Sequence, residues 1–121
     1  MYQEAAKELF AFIEQSPSTF HVIDNMKNML GQQGFEELKE SENWNLKEGG
    51  SYYVTRNGSS LIAFKIPKKD FKGFHIMASH SDAPTFRIKE HGEMDVEKLY
   101  TKLNVEKYGG MLLNTWLDRP L

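Results

Sequence analysis

The residues of this sequence best suited to chemistry are a histidine and an aspartate two positions apart, His80 and Asp82. They follow residues 74–78, a short run that is apolar apart from His75 and is typical of a strand covered on both faces. In an extended chain, residues i and i+2 project to the same side, so the Asp82 carboxylate can reach the His80 ring. This spacing indicates a metal-binding imidazole in which Asp82 bonds the ring nitrogen that the metal does not use.

A second interpretation of the same triplet is structural. Many His-x-Asp triplets lie at ordinary strand ends, where the two side chains form a hydrogen-bonded pair without a metal. One imidazole does not make a site, because zinc in proteins usually has three or four ligands. Pro84 cannot donate to a strand ladder, so in either interpretation the predicted strand ends near Ala83.

The composition limits which partners and chemistries are possible. The chain has 121 residues, 40% of them hydrophobic, so it is one domain or a piece of one with a real core. It has no cysteine, which excludes disulfides and thiol chemistry and leaves His, Asp and Glu as possible metal ligands. A net charge of −2 gives no argument for a nucleic-acid or anionic-membrane partner. The first residues lack the pattern of a signal peptide or membrane span, so the cytoplasm is the expected location.

Two helices are predicted ahead of the strands. Residues 2–15 place apolar side chains at i, i+3, i+4 and i+7, the pattern of an amphipathic helix. Ser16 as N-cap and Pro17 at the first helical position predict the start of a second helix, which Gly31 or Gly34 ends.

Two further histidines are interpreted as structural rather than metal-binding. His21 falls on the first turn of the second predicted helix, with no acidic partner on its face, so we expect a partly exposed or capping residue. His75 lies an odd number of positions before His80, which should place it on the other side of the predicted strand.

The residues after the helices predict strands with hairpin connections. After a short strand and a loop, residues 51–67 contain two aromatic and β-branched segments that flank Asn57 and Gly58, the strongest short hairpin signal. Residues 85–89 and 102–108 alternate apolar and polar side chains, as half-exposed strands do. Helices followed by strands predict an α+β or mixed α/β fold, with an N-terminal helix pair and a mixed β-sheet.

The sequence predicts less regular structure in the last part of the chain. Residues 91–93 are predicted to form a loop, and residues 111–117 are strongly apolar almost to the final residue. Natural domains seldom stop so abruptly at a wet surface. We therefore expect the chain to be cut, or to continue in a longer protein.

Four blocks of the sequence carry a resemblance to a known family: residues 16–21, residues 50–64, residues 78–84, and residues 108–110 together with 115–119. Taken in this order, they resemble the start of the M18-family aminopeptidases, the family of aspartyl aminopeptidase and aminopeptidase I. The resemblance covers nearly the whole chain.

The resemblance implies a fold, an activity and a site. It makes residues 1–121 the N-terminal segment of a metallo-aminopeptidase (phosphorylase/hydrolase-like) catalytic domain, ending before an inserted dimerisation domain. Members of the family use two zinc ions to remove N-terminal residues from peptides, and their dimers assemble into dodecamers. By position, His80 is the implied zinc ligand and Asp82 the residue of the catalytic site that orients it. The other ligands and the catalytic glutamate lie beyond this chain, so the 121 residues alone are expected to be inactive. Asp118 matches the last block without matching a ligand.

Two alternatives to the peptidase remain open from the sequence. The segment could be a non-catalytic folding or assembly module, whose apolar end pairs with another chain. The full-length protein could instead be a related zinc amidohydrolase that acts on non-peptide amides.

Overall fold

The computed structural model describes residues 2–116, and the chain divides into two compact units after Asp82. The first unit contains α1 (Tyr2–Glu14), α2 (Thr19–Gln32), β1 (Glu36–Leu38), β2 (Ser51–Arg56) and β3 (Ser60–Lys65). The second contains β4 (Thr85–Val96), β5 (Tyr100–Tyr108) and a short 3-10 helix (Leu113–Trp116). A helix pair followed by a mixed sheet confirms the predicted α+β class. None of the described helices is long and apolar enough to cross a membrane.

The second helix starts two residues later than its sequence predicts. The extended residue Ser18 (φ −140°, ψ 164°) is the N-cap and Thr19 the first helical residue, in place of Ser16 and Pro17. The Ser16 hydroxyl instead accepts a hydrogen bond from Nδ2 of Asn25 at 3.0 Å. This bond ties the connection between the two helices to a side chain of α2, so the hydroxyl is not used to cap the helix.

The end of α2 is a glycine stop of the Schellman type. Gly34 has φ +78°, and its N–H donates to the carbonyl of Gly31 at 3.0 Å. The N–H of Phe35 donates to the carbonyl of Leu30, also at 3.0 Å. This pair of bonds satisfies carbonyls that the helix leaves open, and the left-handed backbone at its centre favours glycine. Of the two predicted stops, Gly34 ends the helix and Gly31 lies within it.

The sheet of the first unit has the order β1-β2-β3, with β1 parallel and β3 antiparallel to β2. The predicted hairpin is present between β2 and β3. Asn57 (φ 54°) and Gly58 (φ 63°) both have the left-handed backbone that a type I′ turn needs, and the N–H of Ser59 closes the turn on the Arg56 carbonyl at 3.2 Å. The tip of this hairpin contributes Ser59 to the site described below.

The core of the first unit lies on the central strand. The buried apolar side chains among the described residues are Ile23 of α2, with 2% of its surface exposed, and the consecutive residues Tyr52, Tyr53 and Val54 of β2. Successive residues of a strand face opposite ways, so burial of all three shows that both faces of β2 are covered. The Tyr52 ring packs against Phe64 of β3, with 5.8 Å between ring centroids.

A polar contact joins α2 to the sheet beside this core. Lys27 Nζ of α2 lies 2.9 Å from Oε1 of Glu37 in β1, and the Tyr53 hydroxyl donates to Oε2 of the same carboxylate at 3.4 Å. The hydrogen bond to Glu37 raises the pKa of Lys27, and burial raises the pKa of Tyr53. The helix is therefore held on the sheet by a charged contact as well as by apolar packing.

The prediction of a buried strand that ends near Ala83 is wrong for this chain. Residues 73–83 have no regular secondary structure, and their side chains are exposed apart from the half-buried Ser81. Met77 is 99% exposed. A strand covered on both faces needs pairing strands beside it and layers above and below it. Among residues 2–116 no strand pairs with this segment, so its apolar side chains are left exposed.

The second unit is a long hairpin of β4 and β5. Residues 91–93, predicted as a loop, lie within β4, where the pairing register shifts between Ile88 and Glu93. The turn at Glu97 and Lys98 has positive φ at both residues without an Asn-Gly signal. Phe86 packs edge-to-face against Trp116 at 5.1 Å between centroids. Residues 117–121, including Asp118 and the end of the last resemblance block, lie outside the described residues.

Gly31 in α2 and Gly58 in the β2–β3 turn provide a matched test of the helix and the turn described above. Gly58→Ala should lower the free energy of unfolding by about 1–2 kcal/mol, because alanine resists the left-handed φ of the turn. Gly31→Ala should raise it by about 0.5–1 kcal/mol, because Gly31 lies inside α2 and a Cβ there meets nothing within 4 Å. Both changes in the free energy of unfolding can be measured by urea denaturation monitored with circular dichroism. Equal destabilisation by the two substitutions would contradict the turn and the helix as described.

Candidate metal centre

The candidate centre lies on the segment between β3 and β4. The His80 ring is held by Asp82 through a single nitrogen: Nδ1 lies 3.2 Å from the carboxylate Oδ1 of Asp82 and 2.8 Å from the main-chain carbonyl of the same residue. The side chains remain accessible, at 80% exposed for His80 and 43% for Asp82. The predicted contact between the two side chains is present, although the backbone that makes it is not a strand.

These two contacts fix the tautomer of the imidazole. A main-chain carbonyl only accepts hydrogen bonds, and so does an ionised carboxylate. Nδ1 of His80 must therefore carry the proton that it shares with Asp82. In the neutral ring, Nε2 then has the lone pair and faces away from Asp82, which is the form in which a histidine binds a metal ion.

The described residues supply one candidate ligand rather than a complete site. In the range 2–116, no group of three or more His, Asp or Glu side chains is placed to hold a metal ion. Nδ1 of His21 bonds the Ser18 hydroxyl at 2.8 Å, in agreement with the interpretation as a residue of the helix start. His75 is exposed, and no contact brings it to His80. The donor chemistry of His80 fits zinc, which binds imidazole nitrogen, while the remaining coordination has to come from elsewhere.

Sequence reasoning missed the contacts that hold this segment in place. The hydroxyl of Ser81, the residue between His80 and Asp82, lies 2.8 Å from the Thr19 hydroxyl and donates to the Ser59 carbonyl at 3.0 Å. Thr19 Oγ1 is 3.3 Å from the same carbonyl. These residues are far apart in the sequence. The available signal was that Thr19, Ser59 and Ser81 fall in three of the four resemblance blocks.

Comparison with known proteins identifies relatives along the whole described chain. Residues 12–121 match the family described as aminopeptidase I zinc metalloprotease (M18). A probable M18 family aminopeptidase 2 of Clostridium acetobutylicum is 52% identical over 120 residues, which cover 98% of this chain and 28% of that protein. Aspartyl aminopeptidase 1 of Schizosaccharomyces pombe is 40% identical over 123 residues, covering 98% of this chain and 26% of that protein.

Solved structures agree with the sequence comparisons. The chain superposes on the S. cerevesiae mApe1 dodecamer structure with a TM-score of 0.84 and 36% identity, over 98% of this chain and 28% of that one. At this identity the agreement concerns sequence as well as fold. The chain thus spans little more than a quarter of the length of each of these relatives.

The tautomer of His80 can be measured directly. Nitrogen-15 NMR of the 121-residue chain at mildly alkaline pH should show the proton of the His80 ring on Nδ1, because both acceptors of Asp82 face that atom. His91, which has no such pair of acceptors, serves as the reference ring. A proton found on Nε2 of His80 would contradict the geometry described.

Proposed function

This chain belongs to the M18 family of zinc metalloproteases, and from that membership we propose that the full-length protein is a zinc aminopeptidase that hydrolyses N-terminal residues from peptides. The observation that carries the proposal within this chain is the bond from Nδ1 of His80 to Asp82. It orients a histidine as a zinc ligand requires, at the position where the family resemblance puts one.

The residues of this chain have distinct roles in the proposed chemistry. Nε2 of His80 supplies one nitrogen ligand, and Asp82 is the residue of the catalytic site that keeps the proton on Nδ1 and the ring in place. Zinc bound there would lower the pKa of a water molecule to roughly 7 and would polarise a carbonyl. The general base is proposed to be a glutamate outside these 121 residues.

The proposal extends to the parts that this chain does not contain. Residues 1–121 would form the N-terminal segment of the catalytic domain, ahead of an inserted dimerisation domain, and two zinc ions would be held with ligands from the remaining sequence. The relative mApe1 has a dodecamer structure, which supports a homo-oligomer here. Peptides are the proposed substrates. No nucleic-acid or membrane partner is proposed, and the cytoplasm is the proposed location.

One observation favours a second role for the segment. Residues 74–78 expose a stretch that is apolar apart from His75, and in it Ile76 is 84% exposed. Surfaces of this kind mark protein–protein contacts or the interior of a larger assembly. A non-catalytic assembly module would use the same stretch, so hydrolysis by the full-length protein is the measurement that separates the two roles.

Peptide hydrolysis by the full-length protein tests the proposal. We expect release of N-terminal residues that stops with a zinc chelator and returns with added zinc. Asp82→Ala should lower zinc affinity or activity by about 10-fold, near the lower end of the usual 10–100-fold range, because the main-chain carbonyl of residue 82 still accepts from Nδ1. His80→Ala should lower both further, because the ligand itself is lost.

The matched control is His91→Ala, which removes an exposed histidine from β4 and should leave activity unchanged. Wild-type turnover by the Asp82→Ala variant would remove Asp82 from the site. Hydrolysis of non-peptide amides in preference to peptides would favour the amidohydrolase, and a chelator without effect would overturn the zinc enzyme.

The 121-residue chain alone should neither hydrolyse peptides nor bind zinc tightly. One imidazole cannot hold the ion against water, and the described residues offer no cluster of three ligands. Calorimetric titration with zinc and a peptide-release assay on the purified chain measure the two properties. Release of N-terminal residues by this chain would show that it carries a complete site.

A further inference from the structure

We propose that Ser81 and Thr19 are positioning residues of the proposed zinc site, which act by fixing the backbone that presents His80 and Asp82. The expected effect of these residues on zinc binding rests on the proposed function. The anchoring itself is independent of that function.

Ser81 points the opposite way from its two neighbours. Its side chain is half-buried, whereas His80 and Asp82 are exposed. The chain bends at Ser81, so that the exposed side chains of His80 and Asp82 contact each other while the Ser81 hydroxyl bonds Thr19 and Ser59. Holding Ser81 thus sets the direction of His80, although Ser81 does not touch the ring.

The hydrogen bonds around Ser81 form a chain with a defined direction. Thr19, Ser81 and the Ser59 carbonyl make three close contacts, at 2.8 Å between the hydroxyls, 3.0 Å from Ser81 to the carbonyl and 3.3 Å from Thr19 to it. Two hydroxyl protons cannot serve all three contacts. The two shorter ones are satisfied together when Thr19 donates to Ser81 and Ser81 donates to Ser59. Ser81 is then the central member, which both accepts and donates.

The two anchor points are fixed parts of the first unit. Thr19 is the first residue of α2, and Ser59 lies in the β2–β3 turn, where its own N–H bonds the Arg56 carbonyl at 3.2 Å. Residues 73–81, by contrast, take part in none of the bonds between two main-chain groups found in the described range 2–116. Within that range, the side-chain bonds of Ser81 are the contacts that tie this segment to α2 and the turn. All three anchoring residues are half-buried, where a hydrogen bond is less exposed to competing water.

The consequence for zinc follows from the precision that a metal ligand needs. A ligand has to be held within about 0.5 Å of its productive position. Without the Ser81 bonds, His80 and Asp82 keep their local contact but the pair loses its place on the scaffold. Zinc affinity should fall even though every proposed ligand is still present.

Four substitutions in the full-length protein test the inference. Ser81→Ala removes both bonds and should weaken zinc affinity by about 10-fold, as loss of a ligand's supporting contact does. Thr19→Val leaves the bond from Ser81 to Ser59 and should have a smaller effect. Ser81→Thr and Thr19→Ser keep the hydroxyls and should stay within about twofold of the wild type. Chelator competition gives the zinc affinities.

A second measurement reports on the anchor without zinc. Nitrogen-15 relaxation of the 121-residue chain should show larger backbone motion at residues 80–82 for Ser81→Ala, and the wild-type motion for Ser81→Thr. The matched control is Ser60→Ala, which removes a hydroxyl that bonds the Arg56 carbonyl in the same turn. It should alter neither zinc affinity nor the motion of residues 80–82.

The outcomes separate the two proposals. Wild-type backbone motion and zinc affinity in Ser81→Ala, or an equal loss in Ser81→Thr, would overturn the positioning role and leave the zinc enzyme standing. A wild-type protein that neither binds zinc nor hydrolyses peptides would overturn the function, and the relaxation data would still decide the anchor. If Ser81→Ala does not fold, Thr19→Val against Thr19→Ser provides the same comparison, and equal zinc affinity and backbone motion in that pair would overturn the inference.

Discussion

The hydrogen bond from Nδ1 of His80 to Asp82 is the constraint on which the candidate site depends. Because the main-chain carbonyl and the carboxylate of Asp82 both accept, the ring has one possible tautomer in its neutral form. That tautomer leaves Nε2 as the donor atom for a metal ion. The spacing of two positions between His80 and Asp82 thus determines the tautomer of the ring before any metal is bound, which lowers the reorganisation that binding requires.

The rest of the first unit matters to the site mainly as a support for that ring. α2 and the β2–β3 turn are held by the Schellman stop at Gly34, the positive-φ turn at Gly58 and the buried strand β2. Thr19 and Ser59 come from these two elements, and Ser81 connects them to the segment that bears His80. This exposed segment lacks strand pairing among the described residues, and it can present His80 because the Ser81 side chain is bonded to α2 and to the β2–β3 turn.

The exposed apolar run of residues 74–78 is the main departure from an ordinary domain surface. The sequence there has the composition of a buried strand, but the described residues provide neither pairing strands nor covering layers. The chain spans about a quarter of the length of its relatives, and the described residues contain one candidate ligand instead of a cluster. Exposed apolar side chains and the candidate ligand His80 thus lie on the same segment.

The sequence by itself determined the features that depend on near neighbours: α1, the Asn57–Gly58 hairpin and the contact between His80 and Asp82. Helix periodicity, turn backbone and i, i+2 spacing are local, so residue types reveal them. Tertiary structure alone decided that residues 73–83 are not a strand here, because strand formation needs partners. It alone brought Ser81 to Thr19, 62 positions away, since no periodicity relates hydroxyls so distant in the chain.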